Sequence, residues 1–219
     1  MTRPIVIGIV DYGMGNRRSV EKALQHVGAE TRLTADVTQL GSSDGLVVPG
    51  VGAFPQGMRN LSDRGLDRLI RHWDGPLLGI CLGMQLLFDH SAEMTPTPGL
   101  GLIPGEVTRL EAGGRRIPHI GWNEVRFERR SAITQGLPAG GCAFYHVHSF
   151  AARPHDADDV VGTTEYGERF TTIVARGSVY GVQFHPEKSS TDGLRLLSNF
   201  VQLCGSTAST QIGSLPARA

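Results

Sequence analysis

Two strings far apart in the 219-residue chain hold the residue types of nucleophilic catalysis, GICLG at 79–83 and FHPE at 184–187. The first is a G-x-C-x-G pattern that sets Cys81 between an apolar run and a second one. A strand that turns at once into a helix needs this spacing, because glycines at 79 and 83 remove Cβ atoms that would collide in so tight a turn. Held there, the thiol sits at the carboxyl end of a strand, where open α/β sheets bind ligands. The free N–H groups and positive end of a helix starting at Leu82 would favour the thiolate. A cysteine in an apolar run is otherwise an ordinary core residue. The paired glycines and the strand-to-helix position make Cys81 the candidate nucleophile.

A thiol nucleophile needs a base, and the base needs a group that fixes its tautomer. His185 and Glu187, two apart on a segment read as extended, would face one side, with Pro186 stiffening the link. His185 is the candidate general acid/base and Glu187 the group that orients it, although such residues near a loop are usually solvated surface. VVPGVG at 47–52 is a second strand end, with backbone N–H groups under little side-chain cover. An N–H of Val51 or Gly52 with that of Leu82 would form an oxyanion hole. The alternative is an ordinary glycine turn or a phosphate loop, but neither nucleotide-binding glycine pattern occurs here or at DYGMGN, 11–16. His146 and His148 share a strand face, yet no carboxylate or cysteine at suitable spacing completes a metal site, so neither metal nor cofactor is expected.

These residues need a scaffold that brings distant strand ends together. In the first half, strand-like runs from Pro4, Thr31, Gly45 and Pro76 alternate with helix-like stretches from Ser19, Gly65 and Leu82, the last read as running to Glu93. That alternation predicts right-handed crossovers and an open, doubly wound, mainly parallel sheet with helices on both faces. From about Leu100 extended runs follow one another with glycine turns, YGER and ARGS among them, which predicts an antiparallel extension of the sheet. A last helix is expected from Thr191, with Thr191 or Asp192 as N-cap and Gly205 as its stop. One domain, 1–205, would carry the chemistry and 206–219 would be a flexible tail.

Composition narrows the partners. Lys plus Arg equals Asp plus Glu at 21 each, which leaves no net field to recommend nucleic acid or a membrane surface. No apolar segment is long enough to span a bilayer, and the N-terminal MTRPIVIGIV is strand-like without a cleavage site, so a cytoplasmic protein is expected. Cys81, Cys142 and Cys204 are odd in number and widely spaced, the pattern of free thiols.

Taken in order, DYGMGN, PGVGAFPQGM, GICLGMQLLF, IPHIGWNEV, YHVHSF, GTTEY and GVQFHPEKSS resemble the class I, triad-type glutamine amidotransferases over nearly the whole chain, from Asp11 to about Leu203. Within that family they are most similar to the glutaminase subunits of imidazole glycerol phosphate synthase, in histidine biosynthesis. The resemblance implies hydrolysis of glutamine to glutamate and ammonia through a Cys81 thioester. His185 would protonate the ammonia and activate water, and Glu187 would hold His185. It implies a heterodimer whose other member is a (β/α)8-barrel cyclase subunit. That partner would use the ammonia to make imidazole glycerol phosphate and a carboxamide ribotide. Gln85 and Glu93 would bind the glutamine α-groups, Gly52 would also contact the substrate, and Ser149 and Phe150 would offer backbone groups, unless Gln85 caps its helix and Ser149 pairs within the sheet. Tyr145 and Lys188 resemble residues at the ammonia exit. Asn16, in DYGMGN, and Trp122, in HIGWNEV, lie in strings that resemble docking surface, against core packing for Trp122 and a solvated charge for Lys188. The competing expectation is a free-standing γ-glutamyl-type cysteine hydrolase, or a glutaminase of another pathway, since a triad alone does not name the acyl acceptor.

Overall fold

Alternating apolar strands and helices lay down the first half of the chain: β1 (Val6–Val10), α1 (Arg17–His26), β2 (Glu30–Thr34), α2 (Val37–Gly41), β3 (Gly45–Gly50), α3 (Phe54–Asp63), α4 (Leu66–Arg71) and β4 (Leu77–Cys81). The structure, a computed structural model, describes residues 3–212. Strands β2, β1, β3 and β4 lie side by side and parallel, as the alternation predicts. Within β3, Val47 packs with Ile7, Ile9, Leu78 and Ile80 on one face of the sheet. Its neighbours Leu46 and Val48 pack with Phe54, Leu61 and Leu66 on the other. A strand covered on both faces has no polar side, which is why GLVVPG reads as an unbroken apolar run. Helix α3 has no clear signal in the sequence, since FPQGMRNLSD contains a proline and a glycine. Pro55 is tolerated in the first turn, and Gly57 lets α3 press against Leu82 and Leu86.

Helix α5 (Leu82–Leu86) follows β4 without a break and then stops, so the expected helix to Glu93 is replaced by β5 (Phe88–Ser91). The carbonyls that would carry the helix forward are taken by a returning segment. Leu100 N–H bonds Leu86 O at 2.8 Å, and Leu102 and Ile103 N–H bond Leu87 O. Leu86, Leu87 and Phe88 are all buried, a run too continuous for a helix with a solvent face.

The second half adds β6 (Thr97–Pro98), β7 (Ile103–Arg109), β8 (His119–Phe127), β9 (Cys142–His148), β10 (Phe150–Pro154), β11 (Val160–Tyr166), β12 (Glu168–Arg176), β13 (Val179–Val182) and α6 (Ser190–Ile212). The sheet reaches 13 strands in the order β2-β1-β3-β4-β13-β12-β10-β7-β5-β6, with β11 joined to β12 and β8, and β8 to β9. Its extension is antiparallel at β11–β12 and β12–β13, through turns at Gly167 (φ 80) and Gly177 (φ 57). Strand β13 then lies parallel to β4, with Val182 opposite Ile80. Helix α6 opens at Ser190, so Thr191 and Asp192 fall in its first turn instead of capping it. It runs through Gly205, where the missing Cβ makes room for Ile5, to Ile212. The expected tail is therefore helical over 206–212, and 213–219 lie outside the described residues. Among the described residues no helix is long and apolar enough to cross a membrane.

Candidate active site

The turn at Cys81 has the strain that the paired glycines imply. Cys81 has φ 55 and ψ −109, a conformation an L-residue adopts only when its surroundings force it. A Cβ on Gly79 would lie 2.6 Å from Gly83 O, and one on Gly83 would lie 1.7 Å from Val48 O. No larger residue fits at either place, so the glycines let the helix start beneath the strand end and hold the thiol in the elbow. Cys81 is 5% exposed. Its Sγ is 3.7 Å from Val147 O and 3.7 Å from Gln183 Nε2.

His185 reaches this sulfur because β13 runs parallel to β4 and its outgoing segment bends over the end of the neighbouring strand. Its ring lies within the electrostatic reach of Cys81, and its Nδ1 is hydrogen-bonded to Glu187 Oε1 at 2.8 Å. The i, i+2 pairing arises differently from the extended backbone read in the sequence. Pro186–Lys188 is a turn of 3-10 helix, and this turn brings Glu187 back under the ring. Burial works against charging His185, but hydrogen bonds and charge from Cys81 and Glu187 outweigh it and raise its pKa to about 9. Backbone bonds hold the segment. His185 N–H donates to Tyr145 O at 2.9 Å, and Ser189 Oγ donates to His185 O at 2.7 Å. Asn16 sits in a left-handed conformation (φ 73) and donates its amide to Glu187 Oε1. Since Nδ1–H of His185 donates to the same oxygen, the 3.2 Å approach of Asn16 Nδ2 to Nδ1 is a meeting of two donors on one carboxylate. The carboxylate's other oxygen, Oε2, is buried without a partner among the described residues.

The loop leaving β3 emerges beside Cys81, because Gly50 is in register with it. Val51, Gly52, Cys81 and Leu82 line a pocket of about 240 Å³ with Gln85, Glu93, Ser149 and Phe150. Pro118, Val147 and His148 complete its wall. Every pocket residue expected from the sequence is thus brought together. Gln85 is committed on its amino side, with Nε2 bonded to Phe150 O at 3.1 Å and to Gln183 Oε1 at 3.0 Å. Glu93 Oε2 accepts the N–H of Phe54, the first residue of α3, at 2.7 Å. A larger hollow, about 730 Å³ along 127–139, contains none of these groups.

On the outer side of His185, Lys188 Nζ lies 6.0 Å from the Tyr145 ring centroid, and the Trp122 ring meets Tyr145 edge-on at 6.2 Å. Trp122 is 55% exposed and Ile120 60%, so Trp122 is a surface residue and its core-packing alternative falls. Asn16, expected on the docking surface, is half-buried against Glu187. Behind the pocket the histidines form an ordered chain of hydrogen bonds. Asn123 donates to His119, His119 Nδ1 meets His148 Nε2 at 3.1 Å, and His148 Nδ1 donates to Phe150 O at 2.8 Å. His146 is engaged by Phe144 O and Thr172 Oγ1. Burial lowers all three, His119 to about 4, with Arg115 adding to the effect, and His148 to about 3. Gln183, Val147, Pro118 and Tyr12 were not picked out by sequence reasoning. All four lie inside the family strings, and Gln183 is two residues before His185.

Known proteins resemble this chain in sequence and in fold. The family model for class-I glutamine amidotransferase matches residues 8–203. The imidazole glycerol phosphate synthase subunit HisH of Moorella thermoacetica is 50% identical over 200 residues, 90% of this chain and 94% of that protein. The protein of the same name from Bacillus cereus is 46% identical over 94% of this chain and 99% of its own length. Among solved structures, a putative GMP synthase subunit from Thermoplasma acidophilum has a TM-score of 0.76 at 21% identity, with 97% and 100% of the two chains covered. PurLQS from Thermotoga maritima has a TM-score of 0.67 at 19% identity, with 94% and 100% covered. At such identities these two speak for the fold, while the family match and the relatives near 50% identity speak for descent: the chain belongs to the class-I glutamine amidotransferases, among the HisH subunits of imidazole glycerol phosphate synthase.

Proposed function

We propose that this chain is the glutaminase subunit of an imidazole glycerol phosphate synthase, hydrolysing L-glutamine and passing ammonia to a cyclase subunit in a heterodimer. The observation that carries the chemistry is the parallel register of β13 on β4, which sets a hydrogen-bonded His185–Glu187 pair against the sulfur of a strained elbow. Cys81, as thiolate beside a protonated His185, attacks the side-chain amide carbon of glutamine. The negative oxygen of the tetrahedral intermediate lies between the N–H of Leu82 and those of Val51 and Gly52. His185 gives its proton to the departing ammonia, which leaves a thioester. It then takes a proton from water, whose oxygen attacks the thioester and releases glutamate. Glu187, steadied by Asn16, fixes the ring so that the other nitrogen faces the sulfur.

Substrate selection follows from what the pocket groups have left to offer. Gln85 has both amide hydrogens engaged, so its Oε1 accepts from the substrate ammonium, next to the free oxygen of Glu93. Backbone groups at Ser149 and Phe150 line the same end. Tyr145, Lys188 and the exposed Trp122 form the rim towards the cyclase, a (β/α)8 barrel, through which ammonia leaves. The free cysteines suit a cytoplasmic biosynthetic enzyme. Ammonia release from glutamine, assayed with the ligand-bound cyclase subunit present, is expected to fall at least about a thousandfold in Cys81→Ala and in His185→Ala. Full activity in Cys81→Ala would overturn the mechanism.

A further inference from the structure

One buried polar group beside this site has no part in the mechanism so far. Tyr12 lies in the loop between β1 and α1, is 1% exposed, and its hydroxyl is buried without a hydrogen-bond partner among the described residues. Leaving a phenol O–H unpaired in the interior costs about 1–3 kcal/mol, and a phenylalanine would fill the same space without that cost. The hydroxyl lies against a particular piece of backbone. A Cβ on Gly50 would fall 2.1 Å from the Tyr12 oxygen and 3.4 Å from Leu82 Cβ. Tyr12 and Gly50 are therefore interlocked, and Gly50 is the residue in register with Cys81. The Tyr12 backbone is itself anchored, its carbonyl accepting from Asn60 Nδ2 of α3 at 2.9 Å. Burial, and then the negative charge of Cys81, raise the phenol pKa far above its ordinary value, so the group stays a donor at any working pH.

The acceptor belonging to this stretch is the Gly50 carbonyl, which the parallel register of Gly50 on Cys81 directs at the Leu82 N–H, so that it meets the phenol only when the Gly50–Val51 peptide turns over. It shares a rigid peptide plane with the Val51 N–H, and the two point in opposite directions. Whatever fixes the Gly50 carbonyl fixes the aim of the Val51 N–H. We propose that Tyr12 is a positioning residue for the oxyanion loop, its hydroxyl donating to the Gly50 carbonyl in the reacting state and so holding the Val51 N–H towards the negative oxygen. No proton is transferred; the phenol only exchanges an unpaired state for a paired one as charge develops in the pocket. The energy recovered by pairing it is realised in the transition state, where it raises kcat and leaves KM alone. This inference rests on the glutaminase reading above, with Cys81 as nucleophile.

Tyr12→Phe tests it, because that substitution removes the hydroxyl and keeps the ring. The variant is expected to melt at the same temperature as the parent or higher. In complex with the cyclase subunit its kcat for glutamine is expected to fall roughly ten- to a hundredfold. KM should stay within about twofold, since ground-state binding is untouched. Alkylation of Cys81 by iodoacetamide should proceed at the parent rate, since the loop and not the sulfur is affected. A kcat within twofold of the parent, with Cys81→Ala inactive, would overturn the role of Tyr12 and leave the triad standing. A kcat loss matched by an equal loss of alkylation rate would also overturn it, by moving the effect to the thiol. Activity surviving in Cys81→Ala would instead bring down the glutaminase reading itself.

Discussion

At the scale of single residues, the proposed catalytic groups are set by second contacts that the chemistry alone does not require. Glu187 serves two donors, His185 and Asn16, on one oxygen, inside a side-chain environment with no access to water. Removing Asn16 leaves that carboxylate with one fixed partner and more freedom to turn. Because Asn16 stands at φ 73, the clean deletion is Asn16→Gly, which keeps the backbone conformation without a strained Cβ. We expect its kcat to fall about tenfold with KM for glutamine nearly unchanged and the melting temperature shifted by no more than a few degrees. Steady-state glutaminase kinetics of the complex check this. An increase in KM alone would place Asn16 in substrate binding.

At the scale of elements, the decisive feature is the β3–β4–α5 corner. Gly83 lies so close to β3 that an added Cβ would sit 1.7 Å from the Val48 carbonyl oxygen, a rigid backbone atom between two buried strands. Gly83→Ala therefore forces α5 away from the sheet and takes the Cys81 turn with it. A loss of at least about 3 kcal/mol in unfolding free energy is expected, with alkylation of Cys81 slowed or made heterogeneous in whatever folds. Chemical denaturation followed by circular dichroism measures the first and timed alkylation the second. An alanine at Gly205 should behave otherwise. That glycine is inside α6, and among the described residues its Cβ would meet the end of the Ile5 side chain at 3.1 Å. Gained helix propensity of about 1 kcal/mol offsets a small shift of Ile5, so stability should hold or rise slightly.

At the scale of the whole molecule, pH acts on folding through two opposed sets of histidines. His119, His146 and His148 are buried and neutral, their charged forms disfavoured by burial. The unfolded chain binds protons on them near pH 6.5 while the folded chain resists until about 4 or below, so stability falls as pH drops below 6.5. His185 has the opposite sign. Raised to about 9, it contributes stability that is full below 6.5 and lost as pH rises through 9. The molecule should be most stable near neutrality, with a loss on the order of 2 kcal/mol or more between pH 7 and pH 4.5. Urea midpoints at pH 4.5, 7 and 9.5 would show it. Replacing His119 by asparagine should flatten the acid limb, and an unchanged limb would exclude the histidine chain as its cause.

The sequence by itself determined the parts whose cause is local. The elbow needs Gly79 and Gly83 within two residues of Cys81, parallel strands need unbroken apolar runs, and hairpins need glycine at Gly167 and Gly177. All of these are written in short strings. The family strings likewise pointed to the family, which the match over residues 8–203 bears out. What only the tertiary structure decided was set by groups distant in the chain. The end of α5 depended on N–H groups from Leu100 to Ile103, which periodicity in 82–93 cannot contain. The His185–Glu187 geometry came from a 3-10 turn pinned by Tyr145 and Ser189, where the sequence pattern read an extended segment. Asn16 on Glu187 and Tyr12 under Gly50 arise because β1, β3 and β13 end on the same edge of one sheet. Local spacing records steric need along the chain, whereas a hydrogen bond between strand ends exists only once the strand order is set.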